Sequence, residues 1–442
     1  FCMEDVMIRR IALAGLTLLS LAVPAFAQDA AAAVVDTGNT TWLLVSAALV
    51  MLMTPGLAFF YGGMVSRKNV VSTLLQNYVA LAIVGLLWII VGYSLVFGEG
   101  GGYLGGFDMI MLKGVADQFY GTTGIPLLAF VAFQMMFAII TPALITGAFA
   151  ERVHFKAWVF IMIAWSLLVY VPVAHWVWGP GGWILEKGGL DFAGGLVVHI
   201  TAGFSGLAAA LIFGKRNTNG ESPPNDVPMI MLGAALLWFG WFGFNAGSAI
   251  TSGALASYAF INTFIGAATA FITWMVIDWI VSGKPSAVGS SIGLVVGLVA
   301  ITPAAGFVDI HAAFIIGIIS AIVSNFGIKA LNKVTHLDDA LDVFACHGIG
   351  AVVGAILTGL YASKLVNPAI SNEGWLISGD PTLFNANLVG VLAVAGFSMV
   401  ATFLIIRIVG IFTPIRVAGD VEGEGLDTAI HGEVARFHDR TR

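Results

Sequence analysis

The sequence predicts an all-α polytopic membrane protein with eleven transmembrane helices, and three observations carry that prediction. Of its 442 residues, 59% are hydrophobic and only 10% charged, against about 25% charged in a soluble domain. The apolar residues gather into eleven segments close to the ~20 residues that cross a bilayer. Lysine and arginine fall almost entirely on one side of the membrane that those segments define. The 54 glycines fit the same class, because small residues let helices approach closely where lipid offers no hydrophobic drive between them.

Taken in order, residues 1–6 carry no assignable role. Residues 7–27, "MIRRIALAGLTLLSLAVPAFA", have a basic start, an apolar centre and a small-x-small site at Ala25-Phe26-Ala27, the anatomy of a cleavable signal peptide. The apolar stretch is shorter than a spanning helix needs, which disfavours an uncleaved first span. The membrane domain then runs over 28–413, with spans near 41–63, 72–97, 125–149, 157–178, 193–213, 228–249, 255–281, 287–303, 311–331, 343–362 and 385–410. A polar, Gly-rich tail follows over 414–442.

With the mature N-terminus outside, the inner loops, the inner end of the last span and the tail collect fourteen basic residues, from Arg67 and Lys68 to Arg440 and Arg442. The outer loops hold three, Lys113, Lys187 and Lys364. A missed or invented span would scramble that bias. The expected location is therefore the inner (plasma) membrane, with the C-terminus cytoplasmic. A net charge of −6 is too small to imply a nucleic-acid partner. Cys2 precedes the mature chain and Cys346 lies in an apolar segment, so no structural disulfide is available.

Eleven spans permit an inverted 5+5 pseudo-repeat plus one helix. His199, in "GGLVVHITAGFSG", is followed by Gly203 and Gly206; His347, in "DVFACHGIGAVVGA", is followed by Gly350 and Gly354. Their spans enter from opposite faces. One such histidine could simply bond a neighbouring helix at ~0.6 kcal/mol, whereas two at corresponding positions favour a pathway. A metal site is the weaker option, because no carboxylate or second thiolate completes the ligand set. No Asp, Glu, Lys or Arg falls in the middle of a span, so the permeant is expected to be uncharged at the midplane.

Aromatic residues sharpen this. "AFQMMF" sets Phe133 and Phe137 on one helix face, and "GWFGFNAGS" sets Trp241, Phe244 and Ser248 on another. The fourth span ends in "HWVWGP", which offers Trp178. An aromatic face holds a small cation at ~0.5–2 kcal/mol without a fixed counter-charge. Each residue alone has a plainer reading, Trp at an interface or Phe in helix packing.

These residues resemble the ammonium transporter (Amt/Mep/Rh) family, bacterial Amt branch, through seven ordered motifs: "PGLAFFYGGMV", "AFQMMF", "GAFAERVHF", "DFAGGLVVHI", "GWFGFNAGS", "DVFACHG" and "GEGLDTAIHGE". The resemblance implies the ammonium-transporter fold, a homotrimer and one narrow pore per subunit. It assigns an outer recruitment site to Trp178, Phe133 and Ser248, a phenyl gate to Phe137 and Phe244, and a pore-lining pair to His199 and His347. It gives Asp191 a structural or electrostatic role beside the recruitment site. It also implies a cytoplasmic tail that contacts a PII-type nitrogen signalling protein, although composition alone reads the tail as a solvated terminus.

The expected function is ammonium transport: recruitment, deprotonation, passage of ammonia past the histidines and separate transfer of the proton, so that net uptake carries charge. The alternatives are a neutral NH3/CO2 gas channel of Rh type, which the outer Trp178 opposes, and an ammonium sensor with little flux. No cofactor or resident metal is implied. An enzyme is disfavoured, because neither a Gly-x-Ser-x-Gly elbow nor a metalloprotease motif occurs.

Overall fold

In hydrocarbon every backbone amide must find its partner inside its own segment, and apolar helices meet that demand. The computed structural model describes residues 34–217, 223–334 and 337–435. The expected signal peptide, residues 1–6 and the end of the tail lie outside the described residues. From Asp36 onward the described chain forms one helical unit. Its helices are α1 (Thr37–Met64), α2 (Arg67–Phe97), α3 (Leu127–Phe149), α4 (Phe155–Glu186), α5 (Gly195–Phe213), α6 (Val227–Gly247), α7 (Ala254–Ser282), α8 (Ala287–Ile301), α9 (Ile310–Leu331), α10 (Phe344–Tyr361) and α11 (Thr382–Phe412). Each matches one of the eleven segments read from the sequence. No strand forms among the described residues, where only two isolated bridges, Phe119 with Pro126 and Val153 with Arg416, occur.

Ten of these helices are long and apolar enough to cross a membrane. The exception is α8, whose 15 residues rise about 22 Å. It is buried along most of its length, so its reach is set by neighbouring helices rather than by lipid. After α8 the chain turns through Pro303, whose carbonyl accepts the Phe192 N–H at 3.2 Å. That contact braces the start of α5.

Helix starts are set by short polar side chains. Asp36, Asp226, Ser286 and Asp309 accept backbone N–H groups at the first turns of α1, α6, α8 and α9, each such cap contributing roughly 1 kcal/mol. Close helix approach follows glycine. A Cβ at Gly233, Gly240 or Gly243 of α6 would run into the backbone or side chains of α1 at Phe60, Met53 and Leu49.

Helices α5 and α10 run antiparallel and cross at glycines, since a Cβ on Gly203 would fall within van der Waals contact of the Gly348 backbone. At the far end of α5, Arg216 bonds Asp338 ahead of α10 (Nε–Oδ2 2.9 Å) and Glu151 after α3 (2.8 Å). Burial pushes the Glu151 carboxyl up, but hydrogen bonds from Ser66 and Asn69 and the Arg216 charge outweigh it and hold it below the usual range.

The tail is not a free terminus as far as residue 435. The Asp427 carboxylate accepts the Val71 and Ser72 N–H groups of α2 at 2.9 and 2.8 Å. Arg416 bonds the buried Glu422 at 2.8 Å, and Leu426 N–H donates to Asn69 at 2.8 Å. The compositional reading of a solvated tail is corrected here. Composition cannot register a carboxylate that caps another helix from across the sequence.

Candidate functional site

Both histidines sit in π-helical turns, Gly195–Ile200 of α5 and Phe344–Ile349 of α10. Such turns widen a helix and re-aim its side chains, and they recur at functional sites. The α5 turn follows Gly194, whose φ of +110° suits a residue without a Cβ. Gly194 C=O then accepts from both Val198 and His199.

Each turn begins on a carboxylate eight residues before its histidine. Asp191 accepts the N–H groups of Gly194, Gly195, Leu196 and Val197 at 2.6–3.1 Å. Asp339 accepts Phe344 N–H at 2.7 Å. Four orphan donors of one helix start are thus gathered on a single side chain. Burial outweighs the four N–H groups, which pull the other way, and pushes Asp191 up to about 6. Asp339 was not identified from sequence. Its signal was the spacing it shares with Asp191.

Between the two turns the imidazoles meet almost parallel, at 12° with centroids 5.3 Å apart, and Nδ1 of His347 lies 3.2 Å from Nδ1 of His199. His199 also stacks on Trp241 at 5.3 Å, whose indole N–H donates to Thr302 at 2.8 Å. His199 Nε2 has no protein partner among the described residues. With their neighbours the two rings line a lumen of about 10 Å³, room for about one water-sized molecule. The other walls are mostly aliphatic and aromatic, including Leu57, Leu144 and Val295.

Toward the Trp178 face, Phe137 and Phe244 stack at 4.2 Å and 29°, and Phe244 lies 6.0 Å from His199. Trp178 stands edge-on to Phe137 at 5.9 Å. Its indole N–H donates to the Asp191 carbonyl at 3.0 Å, so one residue fixes both the tryptophan and the start of the histidine helix. Phe133 is fully buried behind Phe137, with centroids 5.0 Å apart. Trp178, Ser248 and Asp191 line a vestibule of about 340 Å³. The Ser248 hydroxyl donates to Phe244 C=O at 2.8 Å, which leaves its lone pairs free to accept.

Apart from Phe133, which was expected at the recruitment site but packs behind Phe137 instead of lining the vestibule, the sequence-predicted residues fall along one line: vestibule, stacked phenyl rings, then paired histidines. Among the described residues, no group of three or more His, Cys, Asp or Glu side chains could hold a metal. Cys346 is a buried free thiol beside His347.

A family model described as Ammonium Transporter Family matches residues 41–436. The chain is 48% identical over 399 residues to an ammonium transporter of Bacillus subtilis, covering 90% of this chain and 98% of the relative. It is 45% identical to one of Aquifex aeolicus, covering 92% and 95%. Among solved structures it is similar to Candida albicans Mep2, at a TM-score of 0.82 and 36% identity over 87% of each chain. It is also similar to a structure titled "Sensor Amt Protein", at a TM-score of 0.82 and 29% identity over 89% and 98% of the two chains. The two sequence relatives are ammonium transporters by name, one of the two structures is titled a sensor, and none of the four is named as an enzyme. This chain belongs to the ammonium transporter family.

Proposed function

We propose that the protein carries ammonium across the plasma membrane, entering at the Trp178 face, which is the outer one, and leaving at the face where the tail docks. The observation that carries this reading is the paired imidazoles in a lumen with room for one small molecule. Trp178 and Ser248 recruit the cation. The indole face attracts it through the ring quadrupole, and the Ser248 oxygen accepts one of its hydrogens. Potassium has no hydrogen to donate, so the hydroxyl favours ammonium. Phe133 backs the gate ring from behind.

Beyond Phe137 and Phe244 a bare ion would lose its hydration with nothing to replace it, a cost of many kcal/mol. Ammonium sheds its proton near the gate, and ammonia passes His199 and His347. A proton shared between two Nδ1 atoms leaves one ring with a bare Nε2 acceptor and the other with an Nε2–H donor. Uptake of a proton at the bare Nε2, transfer of the shared proton between the two Nδ1 atoms and release of the other ring's Nε2 hydrogen together swap the two roles, which makes the pair a relay for the separated proton and the net transport electrogenic. A homotrimer with one pore per subunit and a PII-type partner at the docked tail complete the proposal. Cleavage of residues 7–27 belongs to it as well.

The test is current from proteoliposomes on a solid-supported membrane after ammonium and then potassium pulses. Current with ammonium alone is the expected result. Internal alkalinisation without current would favour a neutral-gas channel, and silence by both measures would favour a sensor.

A further inference from the structure

His175 is fully buried on α4, three residues before Trp178, and is not among the residues that line the lumen. Its Nδ1 lies 2.7 Å from the carbonyl oxygen of Val96, and its Nε2 lies 2.6 Å from that of Gly101. Carbonyl oxygens only accept. A neutral imidazole has one N–H and one bare lone pair, so it can satisfy one of these oxygens and must point its lone pair at the other. Both bonds form together only when both nitrogens carry hydrogen.

What the ring holds together is the vestibule wall. Val96 precedes Phe97, and Phe97, Val177 and Trp178 all line the vestibule. Neighbouring bonds hold the same loop: Trp176 N–H of the indole donates to Tyr103 C=O at 2.9 Å and Trp183 N–H to Gly102 C=O at 3.1 Å. The packed elements carry Tyr93 on α2, Glu99 and Asp108 in the loop and Glu186 on the last turn of α4, with Asp191 beyond Trp178. Among the described residues, none of these carboxylates forms an ion pair with His175.

We propose that His175 is a positioning residue that, as a doubly protonated ring, ties the end of α2 to the end of α4 and so holds Trp178 and Phe97 in register for cation recruitment. The transport arm of its test rests on the ammonium reading above. On the Trp178 side, apparent KM for ammonium should rise about tenfold when the clamp is lost. His175→Gln, which keeps an N–H donor for one of the two carbonyls, should show an intermediate KM. His175→Leu should show a high KM. Maximal current should stay within about twofold in both variants. Wild-type KM values in both variants would overturn the proposal.

A second measurement does not depend on transport. Nitrogen-15 NMR of histidine-labelled wild-type protein, with His175 assigned by its loss in His175→Gln or His175→Phe, should show two protonated ring nitrogens at about pH 6. A neutral-ring pattern there would overturn the proposal even if the protein proved to conduct ammonium. Absence of any ammonium current with the doubly protonated ring present would sink the transport reading and leave the clamp standing.

Discussion

Ser248 ends α6 with its hydroxyl hydrogen committed to Phe244 C=O, so what it offers the vestibule is a lone pair. Removing that acceptor should cost the bound cation about 1.5–3 kcal/mol, the range for a hydrogen bond to a charged group. Ser248→Ala should accordingly raise the apparent KM for ammonium roughly ten- to a hundredfold with little change in maximal current, as measured by concentration series on proteoliposomes. An unchanged KM would remove Ser248 from the recruitment step. At this scale the sequence was informative. Trp178, Phe137, Phe244 and the two histidines could be named because ionisable and aromatic residues at fixed helical spacing stand out in an apolar chain. Asp339 and His175 could not, because a carboxylate at a span end and a histidine in "AHWVW" look like interfacial residues. Their partners are backbone atoms, which leave no pattern in the sequence.

The two histidines are brought together by helix geometry. α5 and α10 each begin with a π turn, and they cross where Gly203 meets the Gly348 backbone. A valine at Gly203 would push its Cβ into Gly348 N and Cα, with main chain rather than a flexible side chain in the way. Overpacking of this kind costs about 1–3 kcal/mol or more, and helix separation would widen the 3.2 Å contact between the imidazoles. Gly203→Val should therefore lower the thermal unfolding midpoint in detergent and abolish ammonium current. Wild-type stability with wild-type current would show that the crossing tolerates bulk. Span positions were legible to within a few residues, since hydropathy reads length directly. The π turns were not. Amphipathic spacing assumes a regular period, and an inserted residue leaves the run of apolar side chains intact.

For the whole molecule, the count of eleven apolar helices and their alternating charge were legible in the sequence, although α8 is too short to span by length alone. For the tail, composition alone pointed to a solvated terminus and the family resemblance to contact with the cytoplasmic face. Its Gly-rich, acidic composition hid Glu422 and Asp427, which bury themselves against Arg416 and the start of α2. The arrangement as a whole places a 340 Å³ vestibule, two stacked rings and a histidine-lined lumen of about 10 Å³ in series. The central claim is that this series conducts ammonia past the imidazole pair while a proton moves through the same pair. Current from His199→Ala and His347→Ala proteoliposomes after an ammonium pulse, beside wild type, tests it most directly. The account predicts selective current in the wild type and its loss in both variants, with the oligomer intact by size-exclusion chromatography. Wild-type ammonium current, without potassium current, in either variant would contradict it.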